Sequence, residues 1–315
     1  MAVNTKAIKR RMKSITNTKK ITKAMEMVSA AKMRRAVDAA LRTRAYAHMA
    51  KELMDQLSSV ETKKMPLLAT RPVERALVIT IAASRGLCGS FNANIFKATG
   101  KFLVRKDIIT QHDGEMTQKN ADLSIDLIGI GKKTALFAKK APVETLGIYD
   151  QFGERPTFED ILPISRMAIE QFVAKKYDKV YVAYTDYKSS IAQQPTVRQL
   201  LPITKTNIDA MLDDVGGTTH AKEVYEGIDM DQFLFEPNKQ HILDTVLPRL
   251  VEVQLFQALL ESVASEHSAR MVAMKNANEA AGEMLWDLQL SFNKARQAAI
   301  TQEISEIVGG AAALE

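Results

Sequence analysis

All nine prolines of this 315-residue chain fall between Pro66 and Pro248. From Met1 to Met65 there is neither proline nor glycine, and from Arg249 to Val308 the only glycine is Gly282. Proline costs about 3 kcal/mol in a helix interior and glycine about 1 kcal/mol. Both ends are therefore free to form uninterrupted helix. At 1.5 Å per residue, about 60 residues span roughly 90 Å, well beyond the width of a small domain. The expected layout is two rods with a compact piece between them.

The rods differ in pattern. Near the N-terminus, apolar residues fall at Ile8, Met12 and Ile15, then at Ile21, Met25 and Val28, then at Met33, Ala36 and Ala40. The step from Ile15 to Ile21 reads as a register slip. Alanines dominate the later positions, which lets another helix approach closely. The C-terminal segment places Val246, Leu250, Val253, Leu260, Ala264, Met271, Met274, Ala281, Leu285, Leu288, Phe292, Ala295 and Ala299 on alternating steps of four and three. Gln257, His267 and Asn278 interrupt the apolar run. A period of 3.5 residues sustained this long predicts a left-handed coiled coil. Pro248 should kink or delay its first turns, and the regular rod is expected from about Arg249. The chain's own N-terminal helix is the nearest partner, running antiparallel.

Between the rods the periodicity shortens. Arg75–Ala82, Leu123–Ile130, Lys179–Asp186 and Thr196–Pro202 are Val/Ile-rich and read as strands. Phe91–Val104, Lys132–Lys140 and Thr157–Tyr177 read as helices between them. Alternation of this kind implies a largely parallel α/β domain. Thr62–Pro72 and the glycine-bearing Asp213–Gly227 read as loops. The fold class is α+β overall: a long antiparallel coiled coil plus a central Rossmann-like α/β domain. The expected divisions are 1–62, 73–236 and 240–315.

Charge is unevenly placed. The net charge is only +6, yet eight of the first 23 residues are basic and the first acidic residue is Glu26. Such a helix favours an acidic partner: nucleic acid, anionic lipid or an acidic protein surface. Tyr46 is the one aromatic in the first sixty residues, and no nucleic-acid reader motif accompanies the basic run. A basic coiled-coil nucleic-acid binder or scaffold is therefore the second reading. The longest apolar run, Ala76–Ala83, interrupted only by Thr80, is too short to span a bilayer. With Cys88 as the single cysteine, an internal disulfide is impossible.

Chemical motifs are sparse. Ser84-Arg85-Gly86-Leu87-Cys88-Gly89-Ser90-Phe91-Asn92 follows a strand and opens a helix, where α/β folds bind phosphate. Its spacing fails the dinucleotide fingerprint, so it reads as a structural turn. Gly129-Ile130-Gly131-Lys132-Lys133-Thr134 tempts as a P-loop, but Asp126 stands where the first glycine belongs. Cys88 reads as a small buried hydrophobe rather than a nucleophile served by His112 or His220. The five histidines show no metal-ligand spacing, and Asp209, Asp213 and Asp214 read as loop.

Three stretches carry a resemblance: Met12–Ala36 (MKSITNTKKITKAMEMVSAAKMRRA), Ser265–Asn276 (SEHSARMVAMKN) and Asn293–Leu314 (NKARQAAITQEISEIVGGAAAL). Together with SRGLCGSFN they resemble the gamma subunit family of F-type, proton-transporting ATP synthase, over essentially the whole chain. One departure is Ser84, where the family commonly has aspartate; it puts in doubt any salt bridge from that position. The resemblance implies a central rotor shaft, one copy per complex, with no active site and no cofactor. Its implied partners are an alternating hexamer of alpha and beta subunits, the epsilon subunit and the c-ring, without nucleic acid or a membrane span. Proton-driven rotation of the c-ring would turn the shaft and cycle the catalytic beta sites. By the same resemblance, Lys20, Lys23 and Met25 face acidic loops of the beta subunits. Arg270, Arg296, Gln297, Thr301 and Glu303 match further rotor–stator positions, and Val308–Leu314 would run in an apolar bearing. The implied location is peripheral, on the cytoplasmic face of a bacterial inner membrane, with a mitochondrial membrane second. A removable transit peptide is not expected, because the family-like run starts within the first dozen residues.

Overall fold

The computed structural model describes residues 5–56, 65–112, 115–116, 123–153, 155–204 and 239–312. Helix α1 spans Thr5–Gln56 and strand β1 spans Arg75–Ile81. Then follow α2 (Phe91–Val104), α3 (Lys106–Thr110), the two-residue strands β2 (Gln111–His112) and β3 (Glu115–Met116), and β4 (Ser124–Ile130). The remainder is α4 (Thr134–Ala138), β5 (Glu144–Tyr149), α5 (Phe158–Val173), β6 (Lys179–Tyr187), β7 (Gln193–Leu201) and α6 (Lys239–Ala312). Two compact units result: Met1–Ala30 with Arg270–Glu315, and Ala31–Ala269.

The second unit holds a five-stranded sheet in the order β5-β4-β1-β6-β7. The first four strands are parallel, and β7 returns antiparallel to β6. The inner parallel strands β4, β1 and β6 are buried on both faces, which is why they read as near-continuous Val/Ile/Leu runs. One face of the sheet packs Ala76, Val78 and Leu127 against Ile95 and Leu103 of α2. The other packs Leu77, Ile79 and Ile81 with Ile161, Ile164, Ala168 and Phe172 of α5 and with Leu250, Val251, Leu255 and Leu259 of α6. The amino ends of β1 and β6 are tied by Asp178. Its carboxylate accepts from the backbone N–H of Glu74 (2.9 Å) and Arg75 (3.0 Å) and from Arg71 Nε (2.6 Å). Arg71 also donates to the Phe172 and Tyr177 carbonyls.

Two expectations for α6 are corrected in this unit. The helix starts at Lys239 and runs through Pro248, rather than becoming regular from Arg249. Burial of Leu243, Leu247, Leu250 and Val251 offsets the proline's roughly 3 kcal/mol. From Leu250 to Ser262 the helix is buried all round, not along a stripe. Leu255, Phe256 and Leu259 lie off the four–three pattern and fill the space that solvent would occupy around a coiled coil. Strand β5 was not expected: Glu144–Tyr149 is only six residues long, with alternating half-burial and Gly147 in its middle. The Asp213–Gly227 loop expectation lies outside the described residues.

The first unit is a pair of helices. On α1 the inward positions are Ile8, Met12, Ile15, Lys19, Thr22, Glu26 and Ser29, an unbroken alternation of four and three. The expected slip after Ile15 does not occur. The seam instead turns polar: Thr22 is 8% exposed and Ser29 3%, while Ile21 is 60% exposed and Val28 52%. Apolar spacing misled because Ile21, Met25 and Val28 each precede a seam position by one residue, about 100° around the helix. On α6 the seam continues through Met271, Met274, Asn278, Ala281, Leu285, Leu288, Phe292 and Ala295. Asn278 Nδ2 donates to the Lys19 carbonyl at 3.3 Å, so a gap in the apolar pattern is a cross-helix hydrogen bond.

Candidate functional site

The carboxyl end of the parallel sheet is where an α/β fold would take a ligand. Here its amides are already engaged. In the turn after β4, Gly131 N–H donates to Tyr149 O (2.8 Å), Lys132 N–H to Ser84 Oγ (3.3 Å) and Lys133 N–H to Ala83 O (3.1 Å). Gly131 has φ +94°, and a Cβ there would strike the Ala82 carbonyl. The turn is glycine-bearing because it lies against the end of β1, not because it cradles phosphate. Ser84 caps this turn through its hydroxyl.

The loop after β1 is equally self-contained. Ala83 N–H donates to Asn92 Oδ1 (3.0 Å) and Phe91 N–H to Cys88 O (3.2 Å). Cys88 is buried with Ala83 and Phe91, and Ala269 of α6 packs against them. Asn92 Nδ2 donates to its sulfur at 3.3 Å. Higher on α6, Ser265 Oγ donates to Thr185 O (3.1 Å) and Ser268 Oγ to Ser190 O (2.6 Å). Helix α6 thus covers the loops at this end of β1 and β6. Leu87 projects from the loop tip with φ +62°, an uncommon conformation for a bulky side chain.

Among the described residues no group of His, Cys, Asp and Glu is placed to hold a metal ion. His267 is buried on α6, while His220, Asp209, Asp213 and Asp214 lie outside the described residues. Burial, together with the Asp126 carboxylate that accepts from its hydroxyl at 2.5 Å, drives the Tyr177 phenol far above its usual range. Burial does the same for Tyr181 and Tyr184.

The remaining candidates lie on the helix pair. Lys20 and Lys23 are exposed on α1, and Lys23 Nζ pairs with Glu26 at 3.0 Å. Met25 is half-buried beside the seam, and Arg270 is buried. Arg296, Gln297, Thr301 and Glu303 are exposed within two turns of α6. The structure groups Lys20, Lys23 and Met25 on one stretch, and Arg296 to Glu303 on another. Every residue from Arg296 to Gly310 is exposed, so Ala299 does not join the seam as expected. In the register set by Lys19 opposite Asn278, the described part of α1, from Thr5, ends short of Ala299. Ile300, Ile304, Ile307 and Val308 are all at least half-open to solvent or nearly so, and the first three share one face.

Comparison with known proteins decides which family owns this arrangement. A family model described as ATP synthase matches residues 4–314. The ATP synthase gamma chain of Chloroflexus aurantiacus is 38% identical over 315 residues, covering 99% of each chain. That of Herpetosiphon aurantiacus is 41% identical, covering 98% of this chain and 97% of its own. The chain belongs to the ATP synthase gamma chain family. Solved structures give the fold independently. A chain of the Euglena gracilis mitochondrial ATP synthase, in an OSCP/F1/c-ring structure, aligns with TM-score 0.61 at 18% identity, covering 98% of this chain and 94% of that one. A chain of the Tetrahymena thermophila central stalk/c-ring structure aligns with TM-score 0.56 at 22% identity, covering 82% and 99%.

For a gamma chain, sequence reasoning missed one feature of the rod. Lys19 sits in the seam, and a Cβ at Gly282 would lie 3.1 Å from its ammonium nitrogen. The signal was present: Gly282 is the single glycine between Arg249 and Val308.

Proposed function

We propose that this chain is the turning central stalk of a proton-driven ATP synthase. It is a non-catalytic peripheral subunit that couples rotation of a c-ring to the conformational cycle of catalytic beta subunits within an alternating alpha–beta hexamer. The observation that carries this reading is the end of α6. Fifteen residues, Arg296 to Gly310, stand exposed on every side and carry an apolar isoleucine face. A helix of that kind needs cover from other chains.

Arg296, with its fork of donors, and Gln297, Thr301 and Glu303 then contact the catalytic subunits. Arg270 is a further rotor–stator position. Lys20, Lys23 and Met25 meet acidic loops of the beta subunits, which is the acidic surface the basic helix requires. A shaft biases a site only through contacts that differ between orientations. A rod with a basic stretch at Lys20–Lys23 and an isoleucine face at Ile300–Ile307 supplies such differences. The functional segments are the helical arms 1–62 and 240–315 and the domain 73–236, which meets the epsilon subunit and the c-ring. No helix among the described residues is long and apolar enough to cross a membrane. The bacterial relatives favour attachment at the cytoplasmic face of the inner membrane. Affinity purification from the native source is the test. Alpha and beta subunits should co-purify; recovery of nucleic acid without ATPase subunits would overturn the reading.

A further inference from the structure

We propose that one structural water molecule is bound between α6 and the β6–β7 pair, where it donates a hydrogen bond to Gln257 Oε1. The site lies within the second unit and does not depend on the central-stalk reading. It accounts for the gap that Gln257 makes in the apolar run of α6. Gln254, Gln257 and Glu261 follow steps of three and four, so they share one face of the helix. That face is buried: the three residues are 7%, 1% and 3% exposed. Across from it lie Val182 and Tyr184 of β6 and Arg198 and Leu200 of β7, and a cavity of about 20 Å³ separates the two surfaces.

Gln257 determines what the cavity has to supply. Its Nε2 donates to Glu261 Oε1 at 2.9 Å, and this bond fixes which way the amide is turned. The reversed amide would set its oxygen against a carboxylate, which can only accept. The amide oxygen, Oε1, is therefore the atom left over. It is fully buried, and no protein group donates to it. Interiors rarely leave a buried carbonyl without a donor, because the desolvation cost is then not recovered.

Size and charge choose the ligand. A bound water needs about 10–15 Å³ and two to four polar partners. The cavity meets the first condition for a single molecule. It meets the second with Gln257 Oε1, the Glu261 carboxylate, the Arg198 guanidinium and the Tyr184 hydroxyl on its walls. An apolar occupant would leave Gln257 Oε1 without a donor. An ion would need uncompensated charge of the opposite sign. Arg198 reaches the buried Asp186 carboxylate at 3.6 Å, and Lys188 reaches it at 3.1 Å. Two cations thus stand beside one carboxylate, and the surplus positive charge offsets Glu261. The surroundings are neutral, which suits water and neither a cation nor an anion.

The test is a crystal structure of the full chain that shows ordered waters, paired with magnetic relaxation of the solvent, which counts long-lived bound waters in solution. One peak is expected about 2.7–3.0 Å from Gln257 Oε1. Val182→Ile adds one methylene at the cavity wall and should lower the long-lived count by one molecule. An empty cavity with Gln257 Oε1 still lacking a donor would overturn the proposal. So would a peak held by several oxygens at about 2.3–2.6 Å, which is the signature of a metal cation. An unchanged count in folded Val182→Ile would equally remove the water from this cavity. Where that variant does not fold, the wild-type structure decides alone.

Discussion

Replacing Ile300, Ile304 and Ile307 together by serine should loosen the chain's hold on its assembly while leaving its own fold intact. These side chains are 49%, 57% and 72% exposed. What remains for a partner to cover amounts to slightly less than two whole isoleucines. Full burial of one isoleucine is worth about 1.5–3 kcal/mol, so complete cover of the three faces is worth about 3–5 kcal/mol. Little ordering cost offsets this, because α6 is already helical to Ala312. Imperfect cover in a turning shaft reduces the figure, and the floor expected is about 1.4 kcal/mol, a tenfold loss of affinity. The assay is dissociation of the chain from immobilised alpha–beta hexamers, followed by quantitative mass spectrometry, with the thermal melt of the free chain as control. The melt should move little, since no side chain in this stretch joins the chain's seam. Wild-type retention by the triple variant would refute the reasoning, as would a fall in the free chain's melting temperature as large as the loss of retention.

Three further outcomes follow from the geometry. Arg296→Ala with Gln297→Ala should lower ATP synthesis and hydrolysis in the assembled complex with no change in the free chain's circular dichroism; unchanged rates would remove the proposed contact. Gly131→Ala should destabilise the α/β domain by about 2 kcal/mol or more in urea titration, because the left-handed backbone is strained for alanine and the new Cβ meets a carbonyl that cannot move aside. Tyr177, Tyr181 and Tyr184 all ionise with more difficulty in the folded state. Their stabilising effect is complete below the unfolded-state value near pH 10 and is lost as pH rises past it, at about 1.4 kcal/mol per pH unit for each tyrosine still neutral in the fold. Tyr181→Phe should flatten the alkaline limb of the stability–pH curve by that increment.

Long-range layout was legible in the sequence because proline and glycine act locally and strongly. The gaps before Pro66 and after Pro248 marked α1 and α6, and the Val/Ile runs marked β1, β4 and β6, since a parallel strand buried on both faces needs apolar residues at nearly every position. Strand β5 escaped because an edge strand buries only half its surface, and Glu144, Gly147 and the flanking turns diluted its signal. The register of α1 was misread for a different reason. Periodicity assumes that apolar residues face the partner helix, and around Lys19–Ser29 they face away. That reversal leaves Ile21, Met27 and Val28 exposed and puts Thr22 and Ser29 in the seam, a conflict between local pattern and packing that apolar spacing alone does not reveal. The residues proposed as rotor–stator contacts, by contrast, have no signature in spacing or charge alone. An exposed arginine on a helix looks the same whether solvent or another subunit lies opposite, and only family resemblance singled out Arg296 and Gln297.

The covered end of the sheet has a consequence for how the chain can be informed. Amides of its turns bond to the chain's own backbone and side-chain oxygens, and α6 lies over the loops where a nucleotide-binding relative of this fold would read its ligand. That end of the sheet is therefore built as a packed turn rather than as a phosphate cradle. On the central-stalk reading, the helices, not this end of the sheet, carry the exchange with the catalytic cycle, and they carry it as force.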